Sequence, residues 1–170
     1  ITAGGAVATY ATIPNVGSDP HDFSGDFTTI TYDNTVNGTH IGKMSLGDME
    51  ISPDGQTLYV VNLNDGHLYS LPATEGTLPL SVGQITDEGL ISVPGCIAAD
   101  FHPFGLAYDR DGVLHIGAVC GNDSGTSSDG EEVYVITGLN TIVFQVDGSN
   151  ITTQWTSSAT EQQRMFADLA

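Results

Sequence analysis

Five histidines, His21, His40, His67, His102 and His115, are the residues of this chain best suited to bind a metal or move a proton near neutral pH. None stands in a His-x-His or His-Glu-x-x-His spacing, which would bring two imidazoles to one ion. His115 lies inside a strand alternation, where a structural role is expected. His21 and His102 stand beside Pro20 and Pro103, where loops lead into predicted β structure and a catalytic role stays open. Two stretches, Asp109-Arg-Asp-Gly112 and Asn62-Leu-Asn-Asp-Gly66, carry alternate oxygen ligands and a glycine, as part of a calcium loop does. Neither continues to the glutamate that completes an EF-hand, and Asp-Gly is ordinary hairpin chemistry, which is the preferred reading. The acidic tract holding Asp123, Asp129, Glu131 and Glu132 is the better place for loosely held calcium, set against a merely solvated loop. Calcium is the only cofactor these residues suggest. A Gly-x-Ser-x-Gly nucleophile elbow and a phosphate-binding loop are both missing from the sequence.

Two cysteines cannot form a four-thiolate zinc site. In an oxidising compartment Cys96 and Cys120 are expected to pair, tying a linker to a strand end; the alternative is two buried thiols. Asn37, Asn122 and Asn150 each begin an Asn-x-Ser/Thr triplet near a predicted turn, so they are glycosylation candidates if the source is a eukaryote.

Charge narrows the choice of partner. Three Lys and Arg stand against 21 Asp and Glu, a formal net charge of −18. Nothing basic is available to neutralise phosphates, so nucleic acid and anionic lipid are excluded as partners. An acidic surface suits a secreted protein in salty or calcium-containing water, although plain solubility explains it equally well. No apolar run approaches the ~20 residues of a membrane-spanning helix.

The elements that must position these groups are strands. In Leu46 to Leu71, Met49 and Ile51 alternate with Asp48 and Glu50, the pattern of a half-buried strand. Ser52-Pro-Asp-Gly55 turns the chain, Leu58 to Val61 is apolar on both faces, and Asn64-Asp-Gly66 turns it again before His67 to Leu71. A second copy runs from Phe104 through Asp109-Arg-Asp-Gly112 to Val119. Aligned on Asp54 and Asp111 (111 − 54 = 57), it matches Met49 with Leu106, Ile51 with Tyr108 and Tyr59 with Ile116, while Leu58 falls opposite His115.

A strand meander repeated at this spacing predicts an all-β chain of β-propeller blades, each an antiparallel four-stranded meander, with flanking strands. The chain then reads as one partial propeller over 1–170, with one repeat and its linker at 46–102 and a second at 103–147. Residues 148–170 would add a terminal strand, with a short helix or a frayed end both open. Ile1 to Asn15 is expected to be an outer strand of a preceding blade, and Leu78 to Val93 a fourth strand and crossover. Two repeats cannot readily close a propeller of four to eight blades. Either the chain is a segment of a longer propeller, the preferred reading because Ile1 starts without Met or a signal peptide, or copies complete one another's sheets.

Ser52-Pro-Asp-Gly-Gln-Thr-Leu-Tyr-Val-Val-Asn62 resembles the propeller class that includes surface-layer and YVTN-repeat proteins, the NHL group and the gluconolactonase group. Between Pro20 and Val146, the order Pro20-His-Asp-Phe23, Ile41 to Gly55, Leu58 to Asn64, Gly95-Cys96, Asp100-Phe-His-Pro-Phe-Gly-Leu106 and Gly117-Ala-Val-Cys120 is similar to the propeller region of large secreted proteins carrying SdrD-B-like adhesin modules. The resemblance implies an extracellular or cell-surface structural or adhesive module, without enzyme activity, whose partner is a surface protein, a glycan or a copy of itself. The gluconolactonase group offers the alternative of a metal-dependent hydrolase. At the positions matching two of that group's metal ligands this chain has Gly47 and Asn62, so binding or structural work is preferred. Asp48, Glu50 and His102 are the remaining candidates for a hydrolytic site.

Overall fold

A computed structural model describes residues 8–18, 44–73, 78–121 and 132–147, the backbone alone at 132 and 142–147. The described residues are all-β apart from one short 3₁₀ turn at Val82–Gln84. Strands β1 (Leu46–Ile51), β2 (Thr57–Asn62), β3 (His67–Pro72) and β4 (Thr86–Leu90) form one antiparallel sheet in chain order. Strands β5 (Phe101–Tyr108), β6 (Leu114–Cys120), β7 (Glu132–Thr137) and β8 (Thr141–Asp147) form a second, also in chain order. The proposed helix near the C terminus, the loop from Asn15 to Asn37 beyond residue 18, and the strand after Asp147 lie outside the described residues.

Local chemistry explains the hairpins. Gly55, Gly66 and Gly112 have φ of 72°, 72° and 78°, the left-handed region that closes a turn without a Cβ clash. The Asp54 carboxylate accepts from Ser52 Oγ and the Gln56 N–H, and these bonds hold its acid below the usual carboxylate range. Asp109 does the same work in the second sheet, accepting from the N–H groups of Asp111 and Val113 at 2.9 and 2.8 Å.

Two apolar clusters hold the sheets. Val61 and Leu68 of the first sheet meet Leu106, Ile116, Ala118, Tyr134 and Ile136 of the second, with Ile91 and Val93 of the linker sealing the seam. On the far face of the first sheet, Val60, Tyr69 and Leu71 pack with Ile13 and Leu80. Residues 8–15, the described part of Ile1 to Asn15, are therefore not the outer strand expected there. They form no ladder; the segment crosses the sheet's far face as a strap. Leu80 N–H bonds Tyr10 O, the Tyr10 hydroxyl bonds Pro72 O at 2.5 Å, and Ser45 N–H bonds Val16 O. Pro14 has no N–H to give a ladder, and its carbonyl is taken by the Asn62 side chain.

The repeat also needs correction. Its turns match, since Ser52 N–H bonds Thr57 O just as Asp109 N–H bonds Val113 O, but the first turn holds one residue more. Beyond it the spacing drops by one, to 56 (114 − 58), so that Leu58 matches Leu114, Val60 matches Ile116 and Val61 matches Gly117. Pairing confirms the new register: Met49 opposes Val60 as Leu106 opposes Ile116, and Val60 opposes Tyr69 as Ile116 opposes Ile136. The first strands of the two sheets, β1 and β5, which meet at the seam and are the inner strands of the pair, even carry a bulge at the same place, between Leu46 and Met49 and between Pro103 and Gly105.

The corrected register decides how the sheets stack. Val60 and Tyr69 look away from the second sheet, whereas their equivalents Ile116 and Ile136 look toward the first. Val61 and Leu68 look toward the second sheet, while their equivalents, Gly117 and Val135, fall on its outward face by strand alternation. Matching faces thus point the same way round, as in successive members of a row. A sandwich built about a two-fold axis would bring matching faces together.

Candidate functional site

The seam between the inner strands is closely packed. β1 and β5 run so close that a Cβ on Gly47 would stand 2.9 Å from the Phe104 carbonyl oxygen and 2.9 Å from Leu63 Cδ2. Glycine is required there by the approach of a second backbone. One residue on, the Asp48 carboxylate bridges the strands: Oδ1 accepts from its neighbour's N–H on Met49 at 2.8 Å, and Oδ2 accepts from Leu106 N–H at 3.0 Å. An edge strand leaves N–H groups unpaired, and Asp48 satisfies one of them across the sheets. Its carboxylate acts as a clasp. At the other end of the seam the Tyr59 and Tyr108 rings meet edge to face, centroids 6.3 Å apart.

Asn62 is wholly buried and used up. Its Nδ2 donates to Pro14 O at 2.9 Å and its Oδ1 accepts from Asn64 N–H at 3.0 Å, while Asn64 Nδ2 donates to Asn15 O. Asn62 therefore pins the strap to the β2–β3 turn. Replacing it with Ala should cost about 2 kcal/mol, because the hydrogen bonds to Pro14 O and from Asn64 N–H are both lost; urea unfolding would measure it.

The remaining oxygens of the Asn62–Gly66 turn are similarly engaged. Asp65 accepts from His67 N–H and from the Tyr69 hydroxyl, at 3.0 and 2.8 Å. Burial pushes the Tyr69 phenol from its ordinary value of 10.0 up to about 12, and the hydrogen bond to Asp65 works in the same direction. A group whose folded pKa is raised keeps its full contribution below the unfolded value and loses it as pH rises. Stability should therefore fall between pH 10.0 and about 12, and Tyr69→Phe should flatten that fall in denaturation curves taken along an alkaline series.

The histidines are dispersed. His67 Nδ1 pairs with Asp87 at 2.8 Å across β3 and β4. His115 lies between Asp109, 2.9 Å from Nε2, and the Thr137 hydroxyl, 3.0 Å from Nδ1, so its place is structural. Burial acts to raise the Asp109 acid, but the His115 bond and the two backbone N–H groups outweigh it and hold the acid below its usual range. His102 lines a cleft of about 430 Å³ between the β2–β3 turn and the linker, together with Asp65, Leu90, Cys96 and Phe101. His21 and His40 lie outside the described residues, as do Asn37, Asn122, Asn150, Asp123, Asp129 and Glu131; Glu132 begins β7, with only its backbone described. Among the described residues no three His, Cys, Asp or Glu side chains gather as metal ligands.

Cys96 and Cys120 form a disulfide, with Cα atoms 6.0 Å apart. It fastens the linker to the end of β6, beside the cleft. Sequence reasoning paired these cysteines but missed Asp48 as a clasp and Gly47 as a contact point. An acidic residue in a strand alternation reads as solvent-facing, and nothing local announces a neighbouring backbone. Among the described residues no helix is long and apolar enough to cross a membrane. No protein-family model, curated protein or solved structure matches the chain.

Proposed function

We propose that this chain is part of a non-catalytic extracellular β-propeller, serving as a structural or adhesive module at a cell surface or in a matrix. The observation that carries the reading is the stacking of two four-stranded meanders in the same sense, inner strand against inner strand, through a clasp at Asp48. Rotation of one meander onto the next is how propeller blades succeed one another. The disulfide and the net charge of −18 fit an oxidising, ion-rich exterior. Partners are then a surface protein, a glycan or another copy, met by loops and sheet faces.

Three of the positions a hydrolase would draw on are occupied by structural roles. Asn62 has its amide bonded to Pro14 and Asn64, Gly47 offers no ligand atom, and both Asp48 oxygens accept backbone N–H groups. Elemental analysis of protein dialysed against a mild chelator tests the proposal. The expected result is no divalent ion held at stoichiometric level, with calcium at most in weak exchange with acidic loops. A tightly retained stoichiometric ion, together with lactone or ester hydrolysis that disappears when it is stripped, would overturn it.

A further inference from the structure

Among the described residues both ends of the two-sheet stack are open, and each end repeats part of one half of the seam between them. On the far face of the first sheet, Met49 and Ile51 are 55% and 52% exposed, although the strand alternation predicts them on a half-buried face. Their equivalents in the second sheet are Leu106, which is buried, and Tyr108, which packs on Tyr59. On the outward face of the second sheet stand Gly117, Val119, Val133 and Val135, with Val133 43% exposed. The equivalents of Gly117, Val119 and Val135 are Val61, Leu63 and Leu68, which belong to the seam. The strap through Ile13 covers only the Val60, Tyr69 and Leu71 part of the first face, leaving its inner edge open.

We infer that the outward face of the second sheet docks the Met49–Ile51 face of a second copy, head to tail, repeating the seam within one chain. The inference rests on the blade reading above. Continuity with the existing interface carries it: the first sheet's seam face is matched by the outward face of the second, and the Leu106 and Tyr108 part of the second sheet's seam face is matched by the exposed Met49 and Ile51 of the first. Such a contact is heterologous, so copies add in one direction until a ring closes. Phe104, 57% exposed, stands where the first sheet has Gly47. The new seam must accommodate its ring near the inner strands, where the internal seam closes on glycine. A charge of −18 on each copy opposes the contact at low ionic strength. Assembly should therefore strengthen with salt, in contrast to contacts made by ion pairs.

Sedimentation of the whole chain in about 0.5 M NaCl, where charges more than about 5 Å apart are screened, gives the test. The unaltered chain should show at least a two-fold rise in average mass with concentration. Met49→Glu and Val133→Glu, both at exposed positions, should each sediment as monomers with unchanged circular dichroism. Mixed together they should form a dimer and stop there, since one intact face of each kind remains. A monomer at every salt concentration overturns the inference while leaving the blade reading intact, because further blades in a longer polypeptide can fill both ends. Self-association that survives Met49→Glu, or variants that fail to restore a dimer on mixing, also overturns it. Loss of the native spectrum in both variants would be resolved with Ile51→Lys and Val119→Lys, judged by the same mixing rule.

Discussion

Gly47→Val should lower stability by about 3 kcal/mol, at the upper end of what overpacking usually costs. The added Cβ alone would lie 2.9 Å from the Phe104 carbonyl oxygen, and the two further methyl groups have Leu63 and the Val61 side chain beside them. A side chain can swing aside, but the Phe104 carbonyl belongs to a bulge in β5 that is held by pairing with β6 at Pro103 before it and at Gly105 after it. Relief then requires the inner strands to separate. That would stretch the 3.0 Å bond between Asp48 and Leu106 and open the apolar seam around Val61. The effect should appear as a lower urea midpoint with an unchanged slope, because the unfolded chain is hardly altered. Gly55→Val provides the contrast: nothing lies within 4 Å of its Cβ position, so only the strain of a positive φ, 72°, would be felt.

Cys96→Ser with Cys120→Ser should cost a similar amount, about 3 kcal/mol, estimated from the loop the bridge closes in the unfolded chain. The sequence separation is 24. The linker enters that loop at Cys96, carrying Ile91 and Val93 toward the core just before it and Phe101 just after it. Freed at Cys96, the linker should open the cleft beside His102 before the sheets come apart. Hydrogen exchange would show this as faster exchange at Cys96 N–H, which bonds Val93 O, and at Asp100 N–H, which bonds Ile97 O, with β2 and β3 amides unaffected. Uniform acceleration across both sheets would mean that the bridge supports the whole fold.

The strands of both meanders were legible because turn chemistry and alternation agreed. Asp-Gly pairs at 54, 65 and 111 separate runs such as Leu58–Val61 that have the period of a sheet buried on both faces. The register of the repeat was legible only up to its first turn. Gln56 adds one residue to the Ser52–Thr57 turn, and a shift of one in a strand exchanges its two faces. That is why His115 first fell opposite Leu58, and why the corrected match with Tyr59 restores it. Val7 to Ile13 alternates like a strand, yet residues 8–18 cross a sheet, because alternation reports burial on one side and not the identity of the hydrogen-bond partner. Met49 and Ile51 alternate for a face that one chain leaves open. Gly47, Asp48 and Asn62 act through backbone atoms 48 to 58 positions away, and no local pattern records such a partner.

The central claim is that the two meanders follow one another in the same sense, and methyl nuclear Overhauser contacts read it directly. Val61 and Leu68 should connect to Leu106 and Ile116, while Val60 and Leu71 connect to Ile13 and Leu80 and Val135 connects to neither set in the first sheet. Contacts from Val60 to Ile116, or from Leu68 to Val135, would bring equivalent faces together and contradict the account.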